Sequence, residues 1–274
     1  MGVLNATPDS FSDGGLHLDL DAARTRVLQM VAEGASWIDV GGESTRPGAD
    51  PVPLDEELRR VVPVVEAVAE ECRAAGVGLS VDTRHEPVAR AAVAAGATVV
   101  NDVSASLWHV AADLGVGWVA MHMSGDPRTM QADPRYDDVV DDVRQFLAER
   151  VAQARAAGVE QVWVDPGIGF GKTTAHNLEL LARLGDLVAD GAPVLVGTSR
   201  KRFTGELLAR SDAGQFRPDV ESGGPDAERG IEPVPVQDRR VGSLTTAVWA
   251  MIHGARIVRA HDVQDTVRAV RALP

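Results

Sequence analysis

The stretches Gly34-Ala35-Ser36-Trp37-Ile38-Asp39-Val40 and Gly96-Ala97-Thr98-Val99-Val100-Asn101 share one pattern, a glycine followed by a short apolar run rich in β-branched residues. A glycine just past a helix can take the left-handed conformation that ends the helix, and a continuous apolar run suits a strand buried on both faces. Similar units begin at Gly76, Gly115, Gly158, Gly191 and Gly254. With the opening segment Gly2-Val3-Leu4, the pattern predicts eight strands.

Helices are predicted between these strands, for example over residues 54–72 and 139–157, where apolar positions recur at helical spacing. Eight strand-helix units favour the α/β class and a (β/α)8 TIM barrel over an open doubly wound sheet. A length of 274 residues and 45% apolar content suit one barrel domain over residues 1–274. Residues 211–238 are rich in Gly, Pro and acidic residues and predict a long insertion after strand seven. The chain begins almost inside strand one, which leaves open whether a further segment precedes it.

Charge and cysteine content restrict the possible functions. The formal net charge of −13 argues against a general nucleic-acid or membrane-surface binder, because either would need a basic face. The single cysteine excludes a disulfide framework, and no apolar run is long enough to span a bilayer. We therefore expect a cytoplasmic protein with no nucleic-acid or membrane partner, in which any anionic ligand is held by a local basic pocket.

Residues 165–172, Asp165-Pro166-Gly167-Ile168-Gly169-Phe170-Gly171-Lys172, look like a phosphate-binding loop but lack its first glycine. That position is Pro166, which has no N–H to donate to a phosphate. What remains is the carboxylate of Asp165 at a strand end, followed by a glycine-rich loop that a flat ligand can approach closely. Lysine occurs only at 172 and 201. We interpret Lys172 as structural.

Nearly every predicted strand ends in polar residues, and in a barrel of this class the carboxyl ends of the strands carry the chemistry. Arg259 and His261 are two residues apart on a predicted strand, so their side chains should share a face and, with Asn5, form an anion pocket. The alternative for His261 alone is a helix-capping or core histidine.

A second group, formed by Asp82, Asn101 and Asp165, offers acceptors and an amide donor suited to a flat heterocycle with amino and ring N–H groups. The alternative for Asp165 is a cap on the next helix. For Asp39 a structural role is favoured. The tryptophans and Cys72 are assigned to packing, and five histidines without metal-ligand spacing to the surface or to helices. These histidines are His17, His85, His109, His176 and His253.

Seven motifs in order along the chain resemble those of the dihydropteroate synthase family. They are 5–15, 39–48, 80–83, 101–102, 165–172, 198–201 and 259–262. The resemblance implies a pterin-binding (β/α)8 barrel, usually a homodimer, that acts in folate biosynthesis and is the target of sulfonamides. Such enzymes are transferases that join 4-aminobenzoate to 6-hydroxymethyl-7,8-dihydropterin diphosphate with Mg2+ as cofactor, releasing diphosphate.

Site residues follow from the resemblance, position by position. The pterin would be held by Asp82, Asn101, Asp165 and Lys201. Met121 and Phe170 would also bind substrate. The diphosphate would be held by Asn5, Arg259 and His261, with Asn5 also contacting the metal. In the first loop Asp13 would reach the metal or the developing cation, and in the second loop Thr45 and Arg46 would shape the aminobenzoate pocket. The residues assigned to catalysis are Asp13, Lys201, Arg259 and His261.

Two departures from the family pattern affect the site. Arg202 stands where many members have a serine that contacts the aminobenzoate carboxylate, and Ala105-Ser106 replaces a glycine pair after strand four. The helix N-terminus or Arg202 itself could take over the carboxylate. Two other functions stay open at this point, a catalytically silent pterin-binding paralogue and a methyltransferase on the same barrel that handles a methyl-folate.

Overall fold

The computed structural model describes residues 1–6, 16–44, 49–126, 128–213 and 232–274. It contains eight strands at the places that the glycine pattern predicts. The strands are β1 (Gly2–Asn5), β2 (Trp37–Gly41), β3 (Gly78–Asp82), β4 (Val99–Asp102), β5 (Gly117–Met121), β6 (Val162–Asp165), β7 (Leu195–Val196) and β8 (Ile257–Val258).

All strand pairs are parallel, and together they close into a ring. Strands β1 to β6 pair in sequence order, and β7 pairs with β8. A bridge between Val164 and Val194 joins β6 to β7, and a bridge between Gly2 and Ala260 joins β8 back to β1. The backbone N–H of Val3 donates to the Ala260 carbonyl over 3.1 Å across this last seam. The predicted (β/α)8 TIM barrel is thus confirmed.

Helices surround the ring, and those predicted over 54–72 and 139–157 are present with nearly the same bounds. The helices are α1 (Leu16–Ala32), α2 (Leu54–Ala74), α3 (Glu86–Ala95), α4 (Trp108–Leu114), α5 (Val139–Ala156), α6 (Thr174–Ala182), α7 (Leu184–Ala189), α8 (Arg202–Asp212), α9 (Arg240–Ile252) and α10 (Val263–Arg271). Local sequence fixes several ends. The Asp138 carboxylate accepts N–H bonds from Val140 and Asp141 to start α5, and Gly115, at φ 64°, ends α4.

The interior of the ring is divided into two layers. At the amino end, Val99, Val119 and Leu195 pack with apolar side chains from other strands. These are Met1, Trp37, Trp163 and Ile257. At the carboxyl end the inward positions are polar. The parallel register brings these polar residues together, with Asp39 beside Ser80 and Asp82 beside Asn101. The apolar layer closes the barrel, and the polar layer forms the floor of a site.

Three expectations need correction. The insertion is shorter than residues 211–238, since α8 runs to Asp212 and Val236–Arg239 form a 3₁₀ helix. Residues 214–231 lie outside the described part. Trp249 is not a core residue, because it is 45% exposed on α9. Finally, β8 ends at Val258, so Arg259 and His261 lie beyond the strand. Among the described helices, none has the length and apolar content needed to cross a bilayer.

Candidate active site

Asp165 is the last residue of β6 and is almost fully buried. Its Oδ1 accepts the backbone N–H of Gly167 over 2.7 Å, while α6 is capped by Thr173, so Asp165 is not a helix cap. Burial raises the pKa of its carboxyl, and the nearby Lys201 ammonium opposes that shift. The carboxylate keeps acceptor sites beyond the one committed to the loop.

The glycine-rich loop after Asp165 packs directly on the loop after β5. Gly167 and Gly171 have φ of 67° and 64°, a region that favours glycine. A Cβ at Gly167 would overlap the His122 carbonyl oxygen, and one at Gly171 would overlap the Ser124 carbonyl oxygen. The glycines therefore let two backbone segments touch beside the Asp165 carboxylate.

Lys172 stabilises this packed loop by hydrogen bonds, in agreement with its predicted structural role. Its buried Nζ donates to the carbonyl oxygens of Gly167 and Phe170, both over 3.1 Å, and lies 2.9 Å from His122 Nδ1. Burial lowers the pKa of Lys172 to about 7. Burial, followed by the charge of Lys172, lowers the pKa of His122 to about 3, so His122 is a neutral acceptor.

Arg259 lies at the centre of the polar layer. Its Nε donates to Asp39 Oδ2 and its Nη2 to Asp82 Oδ2, each over 2.7 Å. Asn101 Nδ2 donates to the same Asp39 oxygen over 2.9 Å. Asp39 thus has the structural role favoured by the sequence, since it holds one side chain from β4 and one from the β8 end.

Two carboxylates, those of Asp39 and Asp82, share the single guanidinium of Arg259. Asp39 Oδ1, Asp82 Oδ1 and Ser80 Oγ are buried without a hydrogen-bond partner among the described residues. Burial raises the pKa of Asp82 to about 7, although the charge of Arg259 lowers it. Buried polar atoms are normally satisfied, so this layer is suited to a ligand that brings N–H donors.

Lys201, which follows β7, also interacts with the Asp165 carboxylate. Its Nζ lies 4.5 Å from the centroid of the Phe170 ring and donates to the Ile168 carbonyl oxygen. Burial lowers the pKa of Lys201 to about 8, and the Asp165 charge opposes this shift. The next helix, α8, begins at Arg202, and Lys201 is its N-cap.

The predicted anion pocket is only partly assembled in this structure. Asn5 ends β1 and is half-buried, and in register it lies beside Gly41, which in turn pairs with Asp82. His261 contacts Ser199, with 3.1 Å between Nδ1 and Oγ. The Arg259 guanidinium is instead tied to the two carboxylates below. Arg259 and His261 thus contact different residues, and their joint binding of an anion stays a prediction.

The remaining predicted residues fall into three groups. Met121 ends β5, is buried, and lies in register with Asp165. Arg202 is 73% exposed and donates to Glu206 Oε1 over 2.7 Å along α8, so an ion pair already occupies its guanidinium. Asp13, Thr45 and Arg46 lie outside the described residues.

The loop after β4, where Ala105-Ser106 replaces a glycine pair, is held by hydrogen bonds to Asp102. Asp102 is fully buried and accepts N–H bonds from Ser106 and Leu107 over 2.7 and 2.6 Å, and from the Trp118 indole over 3.2 Å. Ala105 takes a φ of 49°, the conformation that glycine would adopt more easily. Trp118, assigned to packing, thus also fixes this loop.

One cluster was missed by the sequence interpretation. Glu57 on α2 is fully buried and binds Thr83 Oγ1 over 2.7 Å and His85 Nδ1 over 2.6 Å. Glu43, after β2, binds Arg84 through both oxygens and accepts the Val52 N–H. His85 therefore has a buried partner and is not a simple surface residue. Sequence spacing gave no signal, because the cluster joins three distant segments.

Comparison with known proteins agrees with this geometry. The sequence model of the family described as pterin binding enzyme matches residues 1–261. The dihydropteroate synthase of Mycobacterium leprae is 46% identical over 283 residues, covering 100% of this chain and 91% of the relative. The Yersinia pestis dihydropteroate synthase with a sulfonamide drug complex has a TM-score of 0.83 and 43% identity, covering 98% of this chain and 90% of that one.

The Xanthomonas albilineans dihydropteroate synthase with 4-aminobenzoic acid has a TM-score of 0.81 and 44% identity, covering 100% of this chain and 93% of that one. The likeness thus extends over the barrel and over the strand ends that carry the polar layer. The chain belongs to the pterin-binding enzyme family, among the dihydropteroate synthases.

Proposed function

We propose that this protein is a dihydropteroate synthase, which condenses 6-hydroxymethyl-7,8-dihydropterin diphosphate with 4-aminobenzoate to 7,8-dihydropteroate and diphosphate in folate biosynthesis. One observation carries the proposal. A layer of buried carboxylates at the carboxyl end of the barrel holds acceptor oxygens without a hydrogen-bond partner among the described residues, and a glycine-rich loop follows Asp165 at the same end of the barrel. That arrangement matches the N–H-rich edge of a pterin, and the names of close relatives agree with it.

The pterin ring is assigned to the residues around Asp165. The Asp165 carboxylate receives the 2-amino and N3 hydrogens, and Asp82 Oδ1 and Asn101 supply further polar contacts. Phe170 and Met121 provide apolar surface, and Lys201 donates from its partly desolvated ammonium. Each of these side chains ends a strand or follows one, so the barrel backbone fixes the ring position.

The diphosphate is assigned to Asn5, Arg259 and His261. Arg259 has five N–H donors and uses two of them on Asp39 and Asp82, so it retains donors for phosphate oxygens. Mg2+ prefers oxygen ligands and usually binds through few protein groups together with substrate phosphates. The Asn5 amide oxygen fits that donor chemistry. When bound, Mg2+ would neutralise charge on the leaving diphosphate.

In the reaction, the bond between the pterin methylene carbon and the bridging oxygen breaks, and diphosphate leaves with the electron pair. The aniline nitrogen of 4-aminobenzoate then attacks the pterin cation and loses a proton. The carboxylates of Asp39, Asp82 and Asp165 stabilise the cation electrostatically, so the amine needs no activation. Asp13 is assigned to the metal or the cation.

The aminobenzoate pocket is assigned to Thr45 and Arg46. The α8 N-terminus and Arg202 are candidates for the carboxylate, although Arg202 would first have to leave Glu206. The same pocket would accept sulfonamides, as the related Yersinia pestis enzyme does.

The activity is tested with purified protein, Mg2+, pterin diphosphate and 4-aminobenzoate, by following diphosphate and dihydropteroate. Tight pterin binding without product would identify a silent pterin-binding paralogue. Turnover of a methyl-folate without need for a diphosphate substrate would identify the methyltransferase alternative. Release of diphosphate that depends on aminobenzoate is the expected result.

Pterin affinity should fall as the pH is lowered through about 7. The pKa of Asp82 is raised to about 7 in the folded protein, and its Oδ2 receives Arg259, so the added proton would sit on the unpaired Oδ1. A protonated oxygen no longer accepts a ligand N–H.

Calorimetry with 6-hydroxymethylpterin should show an affinity loss approaching tenfold per pH unit below pH 6 and one proton released on binding near pH 6. Asp82→Asn should bind more weakly at pH 8 and lose that dependence; a wild-type affinity constant from pH 5 to 8 would refute this assignment.

We propose that the protein forms a homodimer through the exposed apolar face of α9. Val241 and Ile252 are more than 60% exposed, and Trp249 lies between them on the same face. Trp249 Nε1 donates to the Leu181 carbonyl over 2.8 Å, which ties this face to α6. We expect Ile252→Glu to convert a dimer to a monomer in light scattering. Leu54→Glu, at an exposed apolar site on α2, is the matched control and should leave the mass unchanged; a wild-type monomer would contradict the assignment.

We place the protein in the cytoplasm, where a chain with one cysteine and hence no disulfide framework suits the reducing conditions.

A further inference from the structure

Arg200 has a backbone conformation that arginine rarely adopts. Its φ is 61°, and among the described non-glycine residues only Ala105 shares a positive φ. The left-handed region is sterically unfavourable for an L residue with a side chain. Such conformations persist where surrounding contacts hold them, and they cluster at functional sites.

The strained residue lies in a tight turn after β7. The Lys201 N–H donates to the Thr198 carbonyl over 3.2 Å, so Arg200 is the third residue of a four-residue turn. A positive φ at the third position and not at the second is the type II pattern, in which glycine or asparagine is preferred. The protein therefore retains an arginine where a glycine would fit with less strain.

Side chains from the 3₁₀ helix and α9 bind the backbone of the turn. The Arg200 N–H donates to Ser243 Oγ over 2.9 Å, and the Arg200 carbonyl accepts from Arg239 Nη1 over 3.1 Å. Ser243 Oγ donates in turn to the Arg239 carbonyl over 2.8 Å. These bonds satisfy the backbone, but a glycine would make them equally well.

The Arg200 side chain makes the contact that glycine cannot make. Its Nη2 donates to Asp262 Oδ1 over 2.6 Å and its Nε to Asp262 Oδ2 over 3.2 Å. Arg200 holds the pKa of Asp262 below its usual range. A two-point guanidinium-carboxylate pair fixes both position and orientation. It therefore ties the turn after β7 to the segment after β8.

Each partner of this ion pair is adjacent to a residue of the proposed site. Asp262 follows His261, whose backbone N–H donates to Ser199 Oγ over 3.2 Å. Arg200 precedes Lys201, whose ammonium lies over the Phe170 ring. The ion pair thus connects the backbone that carries the pterin lysine with the backbone that carries the diphosphate histidine.

We propose that Arg200 and Asp262 are positioning residues that set the separation of Lys201 and His261, so that one substrate is gripped at both its pterin and its diphosphate. This inference rests on the proposed function. Neither residue needs to touch the substrate, and the turn strain is retained because the arginine side chain spans two loops.

The test compares Arg200→Gly, Arg200→Lys and Asp262→Asn with the wild type. Arg200→Gly suits the turn but removes the ion pair. We expect it to unfold within a few degrees of the wild type, with kcat/KM for pterin diphosphate at least tenfold lower. Affinity for inorganic diphosphate with Mg2+, measured by calorimetry, should fall in parallel. Asp262→Asn should match this loss, Arg200→Lys should recover part of it, and the double variant should lose no more than either single variant.

The matched control is Asp190→Asn, which breaks a two-point ion pair of the same kind with Arg144, at 2.9 and 2.7 Å, far from the turn. It should leave both readouts unchanged. Wild-type turnover and diphosphate affinity in Arg200→Gly would overturn the positioning role, as would additive losses in the double variant. If the wild type makes no dihydropteroate, the proposed function fails, while the diphosphate affinities still decide the role of Arg200.

Discussion

Asp165→Asn should bind pterin about 30- to 150-fold more weakly than the wild type while folding normally. The substitution preserves size and leaves an amide oxygen to accept the Gly167 N–H, which the Asp165 carboxylate accepts over 2.7 Å. The amide nitrogen must then face the ligand, where a donor meets a donor. Losing a charged hydrogen-bond partner costs about 2–3 kcal/mol, and about 1.4 kcal/mol corresponds to a factor of ten in affinity.

The measurement is calorimetry with 6-hydroxymethylpterin, together with thermal unfolding of the empty protein. Asp186→Asn is the control, because Asp186 is a surface carboxylate that binds Arg183 on the outside of the barrel. It should not alter pterin affinity. An Asp165→Asn protein that binds pterin as tightly as the wild type would remove Asp165 from the ligand.

The two lysines should separate stability from activity. Lys172→Met removes a buried ammonium that satisfies two carbonyl oxygens and the His122 ring nitrogen. Buried acceptors left without partners cost about 1–3 kcal/mol each. We expect a loss of about 3 kcal/mol or more in the free energy of unfolding. The melting temperature should fall by about 6–12 °C, since 1 kcal/mol shifts a protein of this size by about 2–4 °C.

Lys201→Met is the matched variant, because it removes the other lysine of the chain. Its ammonium donates to a single carbonyl, that of Ile168, and is itself desolvated. Its loss should change the melting temperature by little and reduce kcat/KM for pterin diphosphate by about tenfold or more. If Lys201→Met were the less stable of the two, the assignment of Lys172 to structure and Lys201 to substrate would be reversed.

The barrel could be predicted from sequence because its signal is repeated. A glycine followed by a β-branched run at Gly34, Gly96 and five other places marks seven of the eight strands, and the strand ends then locate Asp82, Asn101 and Asp165. One correction concerns β8, which stops at Val258, before the Arg259 and His261 that were predicted to lie on it. Where a strand stops depends on its neighbours, and that information is absent from a local pattern.

Side-chain partners could not be predicted, because they join residues far apart in the chain. Arg259 binds Asp39 and Asp82, which are 220 and 177 positions away. The pairing of His85 with Glu57 depends in the same way on how α2 packs beside β3. Only the proximity of strand ends could be inferred, and not which charges neutralise one another.

Arg200 shows a further limit. Its sequence context, Thr198-Ser199-Arg200-Lys201, contains no glycine to mark a turn, and a positive φ at an arginine is not readable from composition. Ala105, just after β4, also has a positive φ that the sequence does not indicate. In both cases tertiary contacts hold a backbone shape that local propensity disfavours.

Asp39 Oδ1 and Asp82 Oδ1 are buried acceptors without a hydrogen-bond partner among the described residues. They lie above the apolar layer that closes the barrel, at the floor of the proposed site. A ligand that supplies the missing donors binds only to the folded chain and so stabilises it. The substrate thus contributes to the stability of the barrel interior as well as being bound by it.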